Sequence, residues 1–92
     1  MLLPELEQVP AFRPGVRLHH DKVRGQWVLL APERVVELDP IAHAILVQVD
    51  GHRSIGEIAA ALTAEYDAPL EQVSQDIREL MADLHGKRLL RW

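Results

Sequence analysis

The chain has 92 residues, the size of one small domain with a modest core. It contains no cysteine, which excludes disulfide bonds, a thiolate nucleophile and cysteine-based metal sites. Its formal net charge of −4 argues against nucleic-acid binding, because domains that bind nucleic acid usually carry a basic face. No apolar run approaches the length of a membrane span, and the acidic N-terminus is broken by prolines, unlike a signal peptide. A cytoplasmic protein is therefore expected.

The first fifteen residues are predicted to form an irregular arm. They contain Pro4, Pro10 and Pro14, and proline neither donates to a strand ladder nor leaves the preceding residue free to be helical. No repeat or second composition change follows. Residues 16–92 are therefore predicted to be a single folded domain.

Three short antiparallel strands are predicted between the arm and the first helix. Apolar and polar side chains alternate in residues 16–21, residues 26–30 are rich in residues that suit a pleated surface, and residues 34–38 follow a tight turn. Only helical patterns come after the third strand. One edge of that strand is therefore predicted to stay unpaired.

Three amphipathic helices are predicted after the strands. A side-chain cap and a proline begin the first at Asp39–Pro40, and a capping box begins the second at Ser54–Glu57. Apolar residues recur every three or four positions in the third, residues 70–84. Gly51 and Gly86 are expected to close the first and third. The order β-β-β-α-α-α predicts an α+β fold with a winged helix-turn-helix outline, in which three helices cover a three-stranded antiparallel sheet.

The residues do not form a pattern typical of an enzyme or a metal site. Catalysis needs paired carboxylates or a nucleophile beside a base, whereas the acids here lie near strand ends, as they do on a solvated rim. His19 and His20 are neighbours in a strand and point to opposite faces, and His43, His52 and His85 lack the spacing of a helical ligand pair. We therefore expect no catalytic residue, no metal site and no cofactor.

A helix-turn-helix that binds DNA is the main alternative. The third helix would then face the phosphates, and non-specific attraction to DNA comes from lysine and arginine. That helix carries Glu71, Asp76, Glu79 and Asp83 against Arg78 alone. Repulsion of this helix by a duplex disfavours DNA as a partner.

The open edge of the third strand favours recognition of a peptide. Unpaired strand edges invite pairing, and a guest peptide can add to one as a further strand. Arg34 and Glu37 are compatible with simple protection of the edge by charge, but Val35 and Val36 leave it attractive to a guest. The long third helix would form the other wall. A module whose edges pair with each other is a further alternative.

Several segments occur in an order that resembles the PqqD family of pyrroloquinoline quinone (PQQ) biosynthesis. They are "RG" at 24–25, "VLLAPE" at 28–33, "DG" at 50–51 and "VSQDIRELMADLHGKRLL" at 73–90. The resemblance covers nearly all of the chain after the arm. Each short piece is weak evidence, but the ordered set is specific.

The resemblance implies a peptide chaperone without catalysis or cofactor of its own. Members of this family bind the ribosomally made precursor peptide PqqA and present it to the radical S-adenosylmethionine enzyme PqqE. In similar recognition elements the leader is added beside the third strand and against the third helix. The partners expected here are therefore PqqA and PqqE, and neither nucleic acid nor a membrane. The open sheet edges also leave a homodimer as an alternative.

We predict that the peptide lies between the third strand and the third helix. Arg34 and Arg78 are expected to hold acidic side chains of the peptide, each exposed contact contributing about 1 kcal/mol or less. The predicted peptide-binding residues are Arg34, Val35, Val36, Glu37 and Leu38 on the strand, with Val73, Ile77, Arg78 and Met81 on the helix.

Overall fold

A computed structural model describes residues 2–92 of the chain. No helix in this part of the chain is long and apolar enough to cross a membrane. In chain order the elements are β1 (Ala11–Phe12), β2 (Arg17–Asp21), β3 (Gln26–Ala31), β4 (Arg34–Glu37), α1 (Pro40–Leu46), α2 (Ile55–Tyr66), α3 (Leu70–Gly86) and β5 (Leu90–Arg91).

The predicted antiparallel meander is confirmed. The strands lie in the order β2-β3-β4, with Leu29 of β3 opposite Leu18 on one side and Val36 on the other. These three side chains share the face of the sheet that packs into the core. The α+β class and the three helices after the sheet are confirmed as well.

One aliphatic core joins the sheet to all three helices. Leu29 of the central strand is fully buried, and the helices contribute apolar residues at the spacing that the sequence predicted. The fully buried members of this core are Leu29, Leu46, Ile55, Ile58, Ile77, Leu84, Met81 and Leu90.

The predicted helix starts are confirmed in atomic detail. The Asp39 side chain accepts a hydrogen bond from the Ala42 N–H at 2.7 Å. The Ser54 hydroxyl accepts from the Glu57 N–H at 3.1 Å, while the Ser54 N–H donates to the Glu57 carboxylate at 3.0 Å. Each of these side chains satisfies backbone groups that a helix end leaves without partners.

The first helix is shorter than predicted. It ends at Leu46, and a turn then leads to Gly51, whose φ is +80°. Asp50 holds this turn by accepting hydrogen bonds from the backbone N–H groups of Arg53 and His52. The same bonds, supported by the Arg53 guanidinium, lower the pKa of the Asp50 carboxyl from its usual value.

The third helix ends two residues later than predicted. Gly86 is its last residue, but the left-handed position that stops it is held by Arg88, with a φ of 62°. The Arg88 N–H donates to the His85 carbonyl and the Leu89 N–H donates to the Leu84 carbonyl. This pair of bonds is a Schellman motif, in which glycine is the usual residue at the position of Arg88.

The N-terminal arm is more ordered than predicted. Its β1 strand pairs antiparallel with β5, with Phe12 opposite Leu90. Upstream, the carbonyls of Leu6 and Gln8 accept hydrogen bonds from the first backbone N–H groups of α2 at 2.8 and 2.9 Å. Strands of two residues are too short to show a period of two, so neither β1 nor β5 was predicted.

Candidate functional site

The outer edge of β4 carries unpaired backbone groups. The Leu38 N–H donates to the Trp27 carbonyl of β3 at 3.0 Å. In an antiparallel pair, successive residues point their N–H and C=O alternately toward and away from the partner strand. The groups of Val36 and Arg34 therefore face β3, whereas those of Val35 and Glu37 face outward. No other strand within residues 2–92 pairs with this edge.

The five predicted strand residues therefore differ in what they present. Leu38 lies beyond the end of β4, is 9% exposed and uses its N–H inside the sheet. The Val36 side chain packs against the core. Val35 and Glu37 offer outward backbone groups, and the Val35 side chain is 62% exposed. A guest strand would thus bind the main chain of Val35 and Glu37.

One flank of α3 faces away from the N-terminal arm. The helix packs against α2 and β5 rather than closely against β4. Ile77 and Met81 of this helix are fully buried on the side that faces the core. Residues three or four positions apart share a helix face, which places along one flank Val73, Asp76, Leu80, Asp83 and Lys87.

An apolar pocket lies where α1, α2 and the start of α3 meet. Its volume is about 380 Å³. Two large side chains at this pocket, Ile41 and Tyr66, are 68% and 59% exposed and offer apolar surface to a ligand or partner. The lining residues are Pro40, Ile41, Ala44, Ile45, Leu62, Tyr66, Ala68, Gln72, Val73, Asp76 and Ile77.

A second pocket, of about 410 Å³, lies at the opposite end of α3. Four cationic side chains line it, and we call this set the basic end. Its members are Arg13, Arg34, Lys87 and Arg88. Glu33 also lines the pocket, and the Lys87 ammonium pairs with the Asp83 carboxylate at 3.0 Å.

The two pockets mark the ends of one groove. Arg34 shares the basic end with Lys87, while Pro40 shares the apolar pocket with Val73. The segment from Arg34 to Pro40 and the α3 flank from Val73 to Lys87 therefore run side by side in opposite directions. At the usual rise per residue both are about 20 Å long. We call the space between them the edge groove.

Of the four predicted helix residues, only Val73 lies on the surface of this groove. It is half-buried and lines the apolar pocket, and Ile77 lies at the pocket's base without exposed surface. Met81 is wholly within the core. Arg78 lies on the other side of the helix, where its Nε donates to the Pro4 carbonyl at 2.8 Å. Arg78 therefore contacts the arm, and its predicted role beside the peptide has no support from this geometry.

We expect Arg78→Ala to loosen the arm without weakening ligand binding in the edge groove. The substitution removes a partly buried, charge-assisted hydrogen bond to Pro4, so the arm loses an attachment to α3. Limited proteolysis should cleave the arm of the variant faster than that of the wild type. Weaker peptide binding at unchanged stability would instead place Arg78 in the site.

Sequence reasoning found Arg34 and Val73 but missed the other exposed residues at the two ends of the groove. Ile41 and Tyr66 looked like ordinary members of helical apolar stripes, and only the packing of three helices brings them together. Lys87 and Arg88 directly follow the last residue of α3, where cations commonly complement the negative end of a helix. Their convergence with Arg34 could not be found by spacing, because more than fifty residues separate them.

Three of the five histidines lie against tryptophan rings. The rings of His20 and His43 lie 5.0 and 4.3 Å from Trp27, and His85 stacks on Trp92 at 4.3 Å. Across residues 2–92, no three histidine or acidic side chains come together as metal ligands would. The edge groove itself offers the outward backbone groups of β4, the apolar pocket and the cations of the basic end. These groups together suit the binding of a peptide.

The chain is similar in sequence and structure to proteins that are described as binding peptides. The chain is 54% identical over 85 residues to the PqqA binding protein of Xanthomonas campestris pv. campestris (strain 8004), covering 92% of each chain. The solution structure of the PqqD truncation of Methylobacterium extorquens PqqCD, a functional stand-alone recognition element for ribosomally synthesised and post-translationally modified peptides, is 42% identical. It superimposes with a TM-score of 0.84 over 96% of this chain and 94% of that one.

A more distant structure contains a bound leader. TbiB1 in complex with the TbiA(beta) leader peptide is 25% identical, with a TM-score of 0.75 over 88% of this chain and 94% of that chain. The family model described as "Coenzyme PQQ synthesis protein D (PqqD)" matches residues 26–90. This match spans β3, β4, all three helices and the start of β5. The chain therefore belongs to the PqqD family.

Proposed function

We propose that this protein is a non-catalytic chaperone of PQQ biosynthesis, which binds the precursor peptide PqqA by adding it as a strand to β4. The observation that carries the proposal is the open edge, where Val35 and Glu37 present two N–H donors and two C=O acceptors to solvent. Each backbone hydrogen bond to a guest contributes about 0.5–1.5 kcal/mol net. Side chains of the guest on the helix-facing side would then enter the edge groove.

Similarity to proteins described as binders supports a role without catalysis. The relative from Xanthomonas campestris is a PqqA binding protein, and the Methylobacterium extorquens structure is a recognition element. The TbiB1 complex shows that a protein with a similar fold holds a leader peptide. The cytoplasmic location stays a prediction from the sequence.

We further propose that the loaded protein docks on the radical S-adenosylmethionine enzyme PqqE. Pairing at β4 leaves the outer face of the sheet free, and that face carries the exposed Val35 and the ion pair between Arg24 and Glu37 at 3.6 Å. Size-exclusion chromatography of the protein with PqqA and PqqE should give one ternary peak. Elution of PqqE alone under saturating peptide would contradict this part of the proposal.

A homodimer would use the same chemistry. The outer edge of β2 is also unpaired within the described residues, so two copies can pair through their sheet edges. Sedimentation over a range of protein concentrations measures such pairing. If the copies pair through β4, PqqA should dissociate the dimer. If they pair through β2, addition of PqqA should leave the fraction of dimer unchanged.

Titration of fluorescently labelled PqqA into the protein tests the main proposal. We expect saturable binding, and we expect an unlabelled DNA duplex not to compete. DNA binding with a steep salt dependence, combined with no response to PqqA, would favour the winged-helix alternative and overturn the peptide assignment.

A further inference from the structure

The edge groove has two chemically different ends, and this asymmetry bears on which peptide segment it accepts. One end is the apolar pocket beside Pro40, and the other is the basic end beside Arg34. The basic end gathers four of the ten lysine and arginine residues of a chain whose net charge is −4. Like charges that converge on an otherwise acidic surface repel one another, and an anionic partner would relieve that repulsion.

The backbone conformation of Arg88 is a second unusual feature of the basic end. Its φ of 62° places it in the left-handed region, at the Schellman position that glycine normally occupies. A non-glycine residue held there costs stability, and residues in such conformations cluster at functional sites. Glycine would complete the same hydrogen bonds more favourably. The presence of arginine at this position is consistent with a role for its side chain at the basic end.

The position of Arg34 connects the basic end to the strand edge. Arg34 is the first residue of β4, and its side chain shares the helix-facing side of the sheet with Val36. A guest strand that pairs with Val35 and Glu37 and continues past Arg34 must run into the basic end. Its side chains on the helix-facing side then meet Lys87 and Arg88.

We propose that the basic end binds carboxylate side chains of the guest peptide, in the residues that directly continue the paired segment on the Arg34 side. The apolar pocket then holds an apolar side chain at the other end, about 20 Å away, which is about six residues of extended chain. The groove thereby fixes the direction and register of the peptide. This inference rests on the proposed function, because it assumes that the guest pairs with β4.

A peptide fits the basic end better than nucleic acid does. Glu33 lines the pocket, Asp83 pairs with Lys87, and the same helix carries Glu79 toward solvent. A duplex long enough to reach all four cations would also meet these acids. Single carboxylates, placed one at a time by a paired strand, avoid them.

The test compares two synthetic peptides against matched variants. One peptide is PqqA, and in the other every Asp and Glu is replaced by Asn or Gln. Arg34→Gln and Arg88→Gly each remove one charge from the basic end. Lys22→Gln is the matched control, because Lys22 is exposed in the β2–β3 turn, at the opposite end of the sheet. Affinity for each peptide and the Tm of each variant are measured at low salt.

We expect Arg34→Gln and Arg88→Gly each to weaken binding of PqqA about three- to fivefold, the upper part of the range for an exposed ion pair. Neither should alter binding of the amidated peptide, and Lys22→Gln should change neither affinity. Arg88→Gly should also raise the Tm by several degrees, since glycine relieves the left-handed strain. Higher stability with lower affinity separates a binding role from a structural one.

Several outcomes would overturn the inference. If both variants bind PqqA as the wild type does, or lose equal affinity for both peptides, the basic end does not recognise carboxylates. Strand addition stands in that case if Val35→Pro still weakens binding. Competition by duplex DNA that is lost in Arg34→Gln would assign the cluster to phosphates. If the wild type binds neither peptide, the proposed function itself fails.

Discussion

Val35→Pro is expected to weaken binding of PqqA strongly while leaving the protein folded. The Val35 N–H faces the open edge, where no other strand of residues 2–92 pairs with it, and the Val35 side chain is 62% exposed. Proline is tolerated at such outward positions of edge strands. A guest carbonyl left without its donor costs about 1–3 kcal/mol, roughly a 5- to 150-fold loss of affinity. Fluorescence titration with labelled PqqA measures the loss, and circular dichroism checks the fold.

Two further variants separate the edge from the interior of the sheet. Val35→Thr keeps the N–H and a β-branched side chain, so it should bind within about twofold of the wild type. Val36→Pro removes an N–H that faces β3 and should lower stability rather than affinity alone. Full affinity in Val35→Pro would mean that the guest does not pair with the main chain of β4.

Met81→Ala is expected to lower the free energy of unfolding by about 2–5 kcal/mol. Met81 lies on the buried side of α3, and its truncation leaves a cavity in a core shared by the sheet and the helices. A domain of this size has about 5–15 kcal/mol of stability in all, so the loss is a large share. Urea denaturation followed by circular dichroism measures the change. The fraction that remains folded should bind PqqA with nearly unchanged affinity.

Val73→Ala provides the contrasting result on the same helix. Val73 is half-buried and lines the apolar pocket, so its truncation should affect stability less and PqqA affinity more than Met81→Ala does. Removing two methyl groups from a buried contact corresponds to about 1–2 kcal/mol. If Met81→Ala reduced affinity at wild-type stability, the assignment of α3 residues to core and groove would be wrong.

Local patterns predicted the fold well because the signals are local. Asp39 with Pro40, and Ser54 with Glu57, identify helix starts through bonds that span only three residues. Alternation in β2 and β3 needs only neighbouring residues. The end of α3 was misassigned because Gly86 is the expected residue, whereas the left-handed position is held by Arg88 against its intrinsic preference.

The candidate site was predictable only in part. The open edge of β4 follows from the order of elements, and so do Val35 and Glu37. The sequence does not show which residues of β4 form hydrogen bonds with β3. The bond from the Leu38 N–H to the Trp27 carbonyl determines this, and with it the direction in which each backbone group of β4 points. The side of α3 that faces the groove depends on where the arm packs. The contact between Arg78 and Pro4 joins residues 74 positions apart, and a pattern of neighbouring residues cannot predict such a contact.

The most direct test of strand addition is amide hydrogen exchange at two residues of β4. In the free protein, the amides of Val35 and Glu37 should exchange rapidly, because they face solvent, while that of Val36 should be protected by β3. Saturation with PqqA should slow exchange at Val35 and Glu37 and leave Val36 protected as before. Exchange at Val35 and Glu37 that stays rapid while PqqA is bound would contradict the account, since the guest would then hold the protein without pairing to this edge.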